Sequence, residues 1–179
     1  MKKIVLTGGA CSGKTTMINR LQILGYPTVP ETAIEIIQAN PELRAIDQFA
    51  FQTLVVNKQI EREEAIQSNG KQFIFLDRSL IDSLAYCTLR HIPHPPGLDE
   101  ACHATDYHAI FVLETLSNFD PRADTGRTST AETSRQTYDL LLQAYKTYGY
   151  AVTHVPDWPV EKRIEFILST LDVVIQRSF

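Results

Sequence analysis

The chain has 179 residues, and its 17 lysines and arginines against 21 aspartates and glutamates give a formal net charge of −4. That length favours one domain, predicted over residues 1–179. The mildly acidic net charge argues against a protein that binds nucleic acid or anionic membranes non-specifically, because such binding needs a global positive charge. No stretch approaches the ~20 apolar residues of a membrane span, and the start lacks a signal-peptide core. Three widely spaced cysteines form no disulfide framework. We therefore expect a cytoplasmic protein without nucleic-acid or membrane partners.

Short apolar runs alternate with longer amphipathic stretches along the chain, a pattern that predicts a parallel sheet wrapped by helices. The predicted strands cover residues 3–7, 28–30, 73–76, 108–113 and 152–155. The predicted helices cover residues 14–24, 32–40, 79–89, 129–149 and the segment after Pro159. The sequence therefore predicts an α/β domain with five parallel strands.

One long amphipathic stretch, residues 42–68, lies between the second and third predicted strands. The residues of its apolar face, near helical spacing, are Ile46, Phe49, Ala50, Thr53, Leu54, Asn57 and Ile60. Two later helices have starts that resemble capping boxes, Ser79 with Asp82 and Ser129 with Glu132. The segment 91–97 carries three prolines and is predicted to be a loop.

Residues 8–15 read Gly-Gly-Ala-Cys-Ser-Gly-Lys-Thr and satisfy the pattern G-x-x-x-x-G-K-[ST]. Gly8 and Gly13 permit backbone angles that let successive N–H groups converge on phosphate oxygens. Those donors precede a predicted helix, whose N-terminus favours anions. The predicted nucleotide-binding residues are Gly8, Gly9, Ala10, Cys11, Ser12, Gly13, Lys14, Thr15 and Thr16.

Two residues of this motif have expected roles toward the phosphates. The Lys14 ammonium can neutralise charge between the β- and γ-phosphates, and the Thr15 hydroxyl can ligate Mg²⁺. The sequence therefore predicts a nucleoside triphosphate and Mg²⁺ as ligands, with Lys14 in a catalytic role.

Charged residues follow two of the predicted strands, at the sheet edge where ligands collect in α/β proteins. Asp77 and Arg78 come directly after the third strand, and Glu31 follows the second. Asp77 is expected to hold Mg²⁺ through water or to accept a proton from an attacking hydroxyl, and Arg78 to clamp phosphate or the acceptor. The alternative for this pair is a structural salt bridge. Glu31 is a candidate general base or substrate ligand, or else an acid that interacts with a helix dipole.

With these motifs the chain resembles the nucleoside and nucleotide kinase superfamily, and most of all the small AAA-type ATPase and kinase domains grouped with bacterial nicotinamide riboside kinase. The residues that carry the resemblance are the motif at 8–15, Pro30-Glu31, Asp77-Arg78-Ser79, Asp82, Ala85-Tyr86, Tyr145, Gly149-Tyr150, Val155-Pro156 and Val160-Glu161-Lys162-Arg163. The resemblance spans nearly the whole chain. It implies a three-layer P-loop NTPase sandwich, a strand order of 2-3-1-4-5, and ATP with Mg²⁺.

A polar segment of about residues 116–130 follows the fourth predicted strand. Related kinases carry a lid there, which closes over the phosphates with arginines and excludes water. The resemblance makes Arg122 and Arg127 the candidate lid arginines, with solvated loop charges as the alternative.

The leading functional hypothesis is an ATP-dependent phosphotransferase that moves the γ-phosphate to a small, nucleoside-like acceptor. The alternative is a regulatory ATPase or GTPase switch with slow hydrolysis and a protein partner. A guanine-reading Asn-Lys-x-Asp motif does not occur in the sequence, which still leaves GTP open. A third hypothesis, a nucleotide-binding module without catalysis, is disfavoured by the intact Lys14, Thr15 and Asp77.

Overall fold

The computed structural model describes residues 1–67, 70–117 and 130–176, with side chains described up to residue 171. The strands within these ranges are β1 (Lys2–Thr7), β2 (Thr28–Val29), β3 (Phe73–Asp77), β4 (Ala109–Leu113) and β5 (Val152–Val155). They pair in parallel as one five-stranded sheet in the order β2-β3-β1-β4-β5. The predicted five parallel strands and the implied order are both confirmed.

Helices connect the strands and cover both faces of the sheet. Within the described ranges they are α1 (Lys14–Ile23), α2 (Thr32–Ala39), α3 (Leu43–Ile46), α4 (Gln48–Glu64), α5 (Leu80–Arg90), α6 (Leu98–Ala104), α7 (Ala131–Thr147) and α8 (Val160–Gln176). None of these described helices combines the length and the apolar character that crossing a membrane demands.

Two apolar clusters, one on each face of the sheet, form the core. Successive side chains of a strand point to opposite faces, so Val5 of β1 joins the cluster under α4, α5 and α7, whereas Ile4 and Leu6 join the cluster under α1 and α8. All five residues of β3 are buried, as expected for a parallel strand covered on both sides. The three-layer arrangement is therefore confirmed.

The predicted apolar face of residues 42–68 is wrong, because the segment forms two helices rather than one and a different face is buried. Asp47 is extended, with φ −141° and ψ 93°, and its side chain accepts a hydrogen bond from the backbone N–H of Ala50, so α3 ends and α4 starts anew. Ile46, Phe49 and Leu54 of the predicted apolar face are exposed. The residues that α4 buries are Phe51, Gln52, Val56, Gln59 and Glu63.

Two further local predictions need correction. The N-cap of α7 is Thr130, which forms a capping box with Thr133 rather than the predicted Ser129 with Glu132. The sequence analysis also missed α6, which follows the proline-containing loop and starts after Gly97. The capping box of Ser79 with Asp82 at the start of α5 is present as predicted.

Leu21 and Ile23 of α1 provide a matched test of the core beneath this helix. Leu21 is fully buried in the cluster shared with α8, whereas Ile23 is 74% exposed. We expect Leu21→Ala to lower the free energy of unfolding by about 2–5 kcal/mol, because it removes buried methyl groups and leaves a cavity. Ile23→Ala should change it by less than about 0.5 kcal/mol. Urea unfolding followed by circular dichroism measures both, and equal losses would contradict the assigned orientation of α1.

Candidate active site

The glycine-rich loop, residues 8–13, connects β1 to α1, which is the structural context that the sequence motif requires. Gly13 is the N-cap of α1 and has φ +82°, a left-handed conformation that costs glycine little. Gly9 packs so closely on α7 that a Cβ there would lie 2.4 Å from Oγ and 2.6 Å from the carbonyl oxygen of Ser134. The close approach of α7 therefore requires glycine at position 9.

Every carbonyl of residues 8–12 accepts a hydrogen bond within this loop or from an element packed on it. Lys14 Nζ, which is almost fully buried, donates to Gly8 O at 3.0 Å and to Gly9 O at 2.7 Å. The other donors are Ser12 Oγ to Gly9 O (3.0 Å), Arg78 to Gly8 O (3.2 Å), Ser134 Oγ to Ala10 O (3.0 Å), Leu116 N to Cys11 O (3.1 Å) and Arg163 to Ser12 O (2.7 Å). These bonds fix the orientation of the loop peptides.

Two predicted metal ligands lie side by side beyond the strand ends. Asp77, the last residue of β3, lies opposite Leu6 of β1 and is buried. The Thr15 hydroxyl donates to Asp77 Oδ2 at 3.4 Å. A hydroxyl and a carboxylate are the hard oxygen ligands that Mg²⁺ prefers, so this pair fits the predicted ion. Thr16, on the first turn of α1, is exposed.

Arg78 connects the glycine-rich loop to the predicted general base. Its Nε donates to Glu31 Oε1 at 3.2 Å, and its guanidinium also reaches Asp82 Oδ1 at 3.4 Å, besides its bond to the loop. Burial lowers the pKa of the guanidinium, but Tyr86 and three nearby carboxylates raise it well above its usual range. Arg78 is therefore a fixed positive charge, and the acids paired with it here are Glu31 and Asp82.

Asp82 is buried and accepts hydrogen bonds from several elements. Thr7, the last residue of β1, donates to Asp82 Oδ1 at 2.5 Å, and the Tyr145 hydroxyl of α7 donates to Oδ2 at 2.5 Å. Ser79 N donates to the same Oδ2 at 3.1 Å. Burial, followed by the charge of Asp82, raises the pKa of Tyr145 well above its usual value, so the phenol remains a donor. Asp82 thereby holds β1, α5 and α7 together around Arg78.

A cavity opens beside the glycine-rich loop, with Ala10, Asp77 and Arg78 on its floor. The N-terminus of α2 contributes Glu31 and Thr32 to its wall. The wall residues from α5 are Asp82, Ser83, Tyr86, Leu89 and Arg90. The wall residues from α4 are Gln48, Phe51, Gln52, Val55 and Gln59. The cavity is therefore next to the predicted triphosphate position and shares residues with it.

Sequence reasoning missed the α4 wall of this cavity. Gln52 is only 6% exposed and lines the cavity, yet it was not among the predicted site residues. The available signal was three glutamines, Gln48, Gln52 and Gln59, at the spacing of one helix face with Phe51 between them. Buried amides need hydrogen-bond partners, so a polar helix face that points inward indicates either an internal hydrogen-bond network or the lining of a cavity.

Arg163 of α8 was also missed as a site residue. It is almost fully buried and donates through Nε to Pro156 O at 2.8 Å, in addition to its bond to Ser12 O. Its guanidinium also lies 3.4 Å from Asp157, whose other carboxylate oxygen accepts from Ser117 N at 2.7 Å. Burial lowers the pKa of Arg163, although Asp157 opposes that effect. Arg163 thus ties the glycine-rich loop to the segments after β4 and β5.

The predicted lid arginines, Arg122 and Arg127, lie outside the described residues. Their roles stay predictions. The described ends of the predicted lid segment are Leu116 and Ser117 on one side and Thr130 on the other. Leu116 and Ser117 are anchored by the bonds given above.

Comparison with known proteins connects this geometry to a family. Residues 3–163 match a family model described as an AAA domain. A search of curated protein sequences finds no match.

Three solved structures share this fold. A deoxyadenosine kinase from M. mycoides, with the products dCMP and dCDP bound, has a TM-score of 0.65 and 16% identity over 96% of this chain and 99% of that one. A thymidylate kinase from Ehrlichia chaffeensis has a TM-score of 0.64 and 14% identity over 95% and 98%. A NadR protein in complex with NR has a TM-score of 0.66 and 20% identity over 86% of this chain, which spans only 43% of the NadR chain.

Arg163→Met tests the support that α8 gives to the glycine-rich loop. We expect it to lower the free energy of unfolding by roughly 1–3 kcal/mol, because the carbonyls of Ser12 and Pro156 lose their donor. Lys162→Met, at the exposed neighbour that lies over Trp158, is the control and should cost less than about 1 kcal/mol. Urea unfolding measures both variants. If Arg163→Met is as stable as the parent protein, the loop does not depend on this residue.

Proposed function

The chain belongs to this AAA domain family and has the fold of P-loop nucleoside and nucleotide kinases, and we propose that it transfers the γ-phosphate of ATP to a small, nucleoside-like acceptor. The observation that carries the proposal is that the cavity and the predicted phosphate site share residues on their floor. Ala10, Asp77 and Arg78 line the acceptor cavity, and Asp77 also lies against Thr15 at the start of α1. A hydroxyl bound in the cavity would thus face a phosphate bound on the loop.

The donor triphosphate would bind residues 8–16. The N–H groups of the loop and the N-terminus of α1 provide an anion site, and Lys14 adds a buried positive charge. Thr15 and Asp77 would hold Mg²⁺, which, when bound, offsets charge on the β- and γ-phosphates. The site would thus supply the positive charge that offsets the negative charge of the phosphates during transfer.

Glu31 is the residue that we propose as acceptor of the hydroxyl proton. The acceptor oxygen forms a bond to the γ-phosphorus, the bond from that phosphorus to the β–γ bridging oxygen breaks, and the proton moves to the Glu31 carboxylate. Glu31 lines the cavity and is held in place by Arg78, whereas Asp77 lies on the metal side beside Thr15. A carboxylate next to a metal ion is a weaker base, so we assign the two acids different roles.

Arg78 would stabilise the negative charge of the phosphoryl group during its transfer. It is a fixed cation on the floor between the loop and the cavity, with its orientation set by Glu31 and Asp82. Preorganised charge of this kind is usually the largest contribution to such catalysis. Arg122 and Arg127 remain the predicted residues of a lid over the phosphates.

The first test measures γ-phosphate consumption from ATP and GTP with Mg²⁺, with and without nucleosides, nicotinamide riboside and nucleoside monophosphates. We expect turnover that depends on an acceptor and yields a phosphorylated product. Lys14→Ala should lower this turnover about 100-fold or more, whereas Lys146→Ala, at an exposed lysine of α7, should not change it. Slow hydrolysis that no acceptor accelerates would contradict the proposal and favour the regulatory switch.

A second test separates the roles of Glu31 and Asp77. We expect Glu31→Gln to lower kcat about 10²–10⁴-fold without changing the Mg²⁺ concentration needed for half-maximal rate. Asp77→Asn should retain nucleotide binding but need more Mg²⁺, because it loses a charged ligand. Glu35→Gln, one turn along α2 and outside the cavity, serves as the control. An unchanged Mg²⁺ requirement in Asp77→Asn would remove Asp77 from the metal site.

A further inference from the structure

We propose that Gln59 of α4 is a positioning residue for phosphoryl transfer, because its side-chain amide connects the segment that carries Glu31 to the segment that carries Arg78. This inference rests on the proposed function and adds to it a residue that would set the rate without contacting the acceptor. It follows from a chain of buried hydrogen bonds between the start of α2 and the start of α5.

The segment that carries Glu31 needs support from outside the sheet. Glu31 follows β2, which has two residues and lies at the edge of the sheet. The pairing of β2 with β3 ends at Val29, opposite Leu76, and the next residue, Pro30, has no backbone N–H to donate. The Glu31 side chain forms no capping hydrogen bond with α2. Contacts with neighbouring elements therefore have to fix the position of Glu31.

Helix α4 holds the backbone on both sides of Glu31. Thr32, the next residue in the chain, is almost fully buried, and its hydroxyl donates to Gln59 Oε1 at 2.6 Å. Arg62, three residues further along α4, donates from one guanidinium nitrogen to the Thr32 hydroxyl and to Pro30 O, each at 3.2 Å. The two residues that flank Glu31 are therefore both bonded to α4.

Gln59 is itself held by the residue one turn further along α4. Its Nε2 donates to Glu63 Oε1 at 2.9 Å, and Glu63, whose side chain is 3% exposed, is paired with Lys3 of β1 at 2.8 Å. A carboxylate can only accept hydrogen bonds, so the amide nitrogen of Gln59 faces Glu63 and the amide oxygen faces Thr32. The amide is thus fixed in one orientation.

The Glu63 carboxylate is also bonded to the segment that carries Arg78. The Tyr107 hydroxyl donates to Glu63 Oε1 at 3.0 Å and accepts from the backbone N–H of Leu80 at 3.2 Å. Leu80 is the first residue of α5, two positions after Arg78. Arg78 Nε in turn donates to Glu31 Oε1 at 3.2 Å. The whole set of bonds therefore closes into a ring, which fixes the position of Glu31 relative to Arg78.

This ring affects the rate because the proposed base has to face the acceptor hydroxyl. A displacement of about 1 Å in a catalytic group can cost about 100-fold in rate. Gln59 also lines the cavity, but the oxygen and the nitrogen of its amide are both bonded to other side chains. A residue that binds the acceptor would change KM, whereas a residue that positions Glu31 changes kcat.

Gln59→Met tests this inference, because it keeps the length of the side chain and removes both hydrogen bonds. We expect it to lower kcat about tenfold to a hundredfold, while KM for the acceptor changes less than about threefold. The control is Asn57→Leu, at an exposed amide of α4 that does not line the cavity, and it should not change kcat. Steady-state kinetics measures both variants. An unchanged kcat in Gln59→Met, or a loss confined to KM, overturns the inference.

Gln59→Glu separates positioning from a loss of packing. In its neutral form the introduced carboxyl can accept from Thr32 and donate to Glu63, as the amide does, whereas its ionised form is repelled by Glu63. The other charged groups bonded to this ring are Lys3 and Arg62.

We therefore expect Gln59→Glu to be several-fold faster than Gln59→Met at mildly acidic pH, and this advantage to decrease as the pH rises. Because the two variants are compared at the same pH, the titration of Glu31 cancels in the ratio. The ratio of Asn57→Asp to Asn57→Leu is the control and should not change with pH. If Gln59→Glu is no faster than Gln59→Met at the acidic end of the profile, the inference is wrong.

Failure of the proposed function gives a different result. If the parent protein turns over an acceptor and Gln59→Met is equally active, the proposed function stands and the inference is overturned. If the parent protein phosphorylates no acceptor, the proposed function fails, and crystal structures of the parent and of Gln59→Met decide whether Gln59 positions Glu31. We expect the contact between Glu31 Oε1 and Arg78 Nε in the parent and its loss in the variant; a variant that keeps this contact overturns the inference.

Discussion

The orientation of the peptide groups in the glycine-rich loop is the constraint on which the site depends. All five carbonyls of residues 8–12 accept hydrogen bonds, and the described donors come from the loop itself, the start of α1, the residue after β3, the segment after β4, α7 and α8. Across a trans peptide the C=O of one residue and the N–H of the next point in opposite directions. Donors on the carbonyl side therefore turn the following N–H groups the other way, toward the side of the loop where we propose that the phosphates bind. The loop is thus preorganised by most of the fold rather than by its own glycines alone.

The same constraint explains why a buried carboxylate is retained at Asp82. An isolated charge in the core is strongly unfavourable, but hydrogen bonds from Thr7, Ser79 and Tyr145 and the positive charge of Arg78 compensate this one. Removing any one donor would leave the buried Asp82 carboxylate with too few hydrogen bonds to compensate its charge. The end of β1, which leads into the glycine-rich loop, is therefore fixed relative to α5 and α7, and so is the guanidinium that contacts both the loop and Glu31.

The parts of this site that the sequence predicts are those encoded locally. The loop motif, the acids after the strands and the alternation of strands and helices each depend on short spacings, and the fold confirms the sheet and its order. Arg163 was not predicted, because its role depends on contact with Ser12, 151 residues away in the chain. The cavity face of α4 was missed because the extended Asp47 resets the helix phase, so a pattern interpreted as one helix gives the wrong inward face. Arg122 and Arg127 remain predictions from resemblance.

The backbone of Arg78 shows how the end of a strand forms the floor of the cavity. Consecutive residues of an extended strand point to opposite faces of the sheet, yet Asp77 and Arg78 both line the same cavity. The left-handed conformation of Arg78, with φ +76°, redirects its side chain at the point where β3 ends. This conformation costs a non-glycine residue about 1 kcal/mol or more, and the bonds of the guanidinium to Glu31, Asp82 and Gly8 O offset that cost. A residue with a shorter side chain would have the same backbone strain but would not reach those three partners. The left-handed conformation at this position is therefore stable only because the residue is an arginine, whose guanidinium forms bonds that offset the strain.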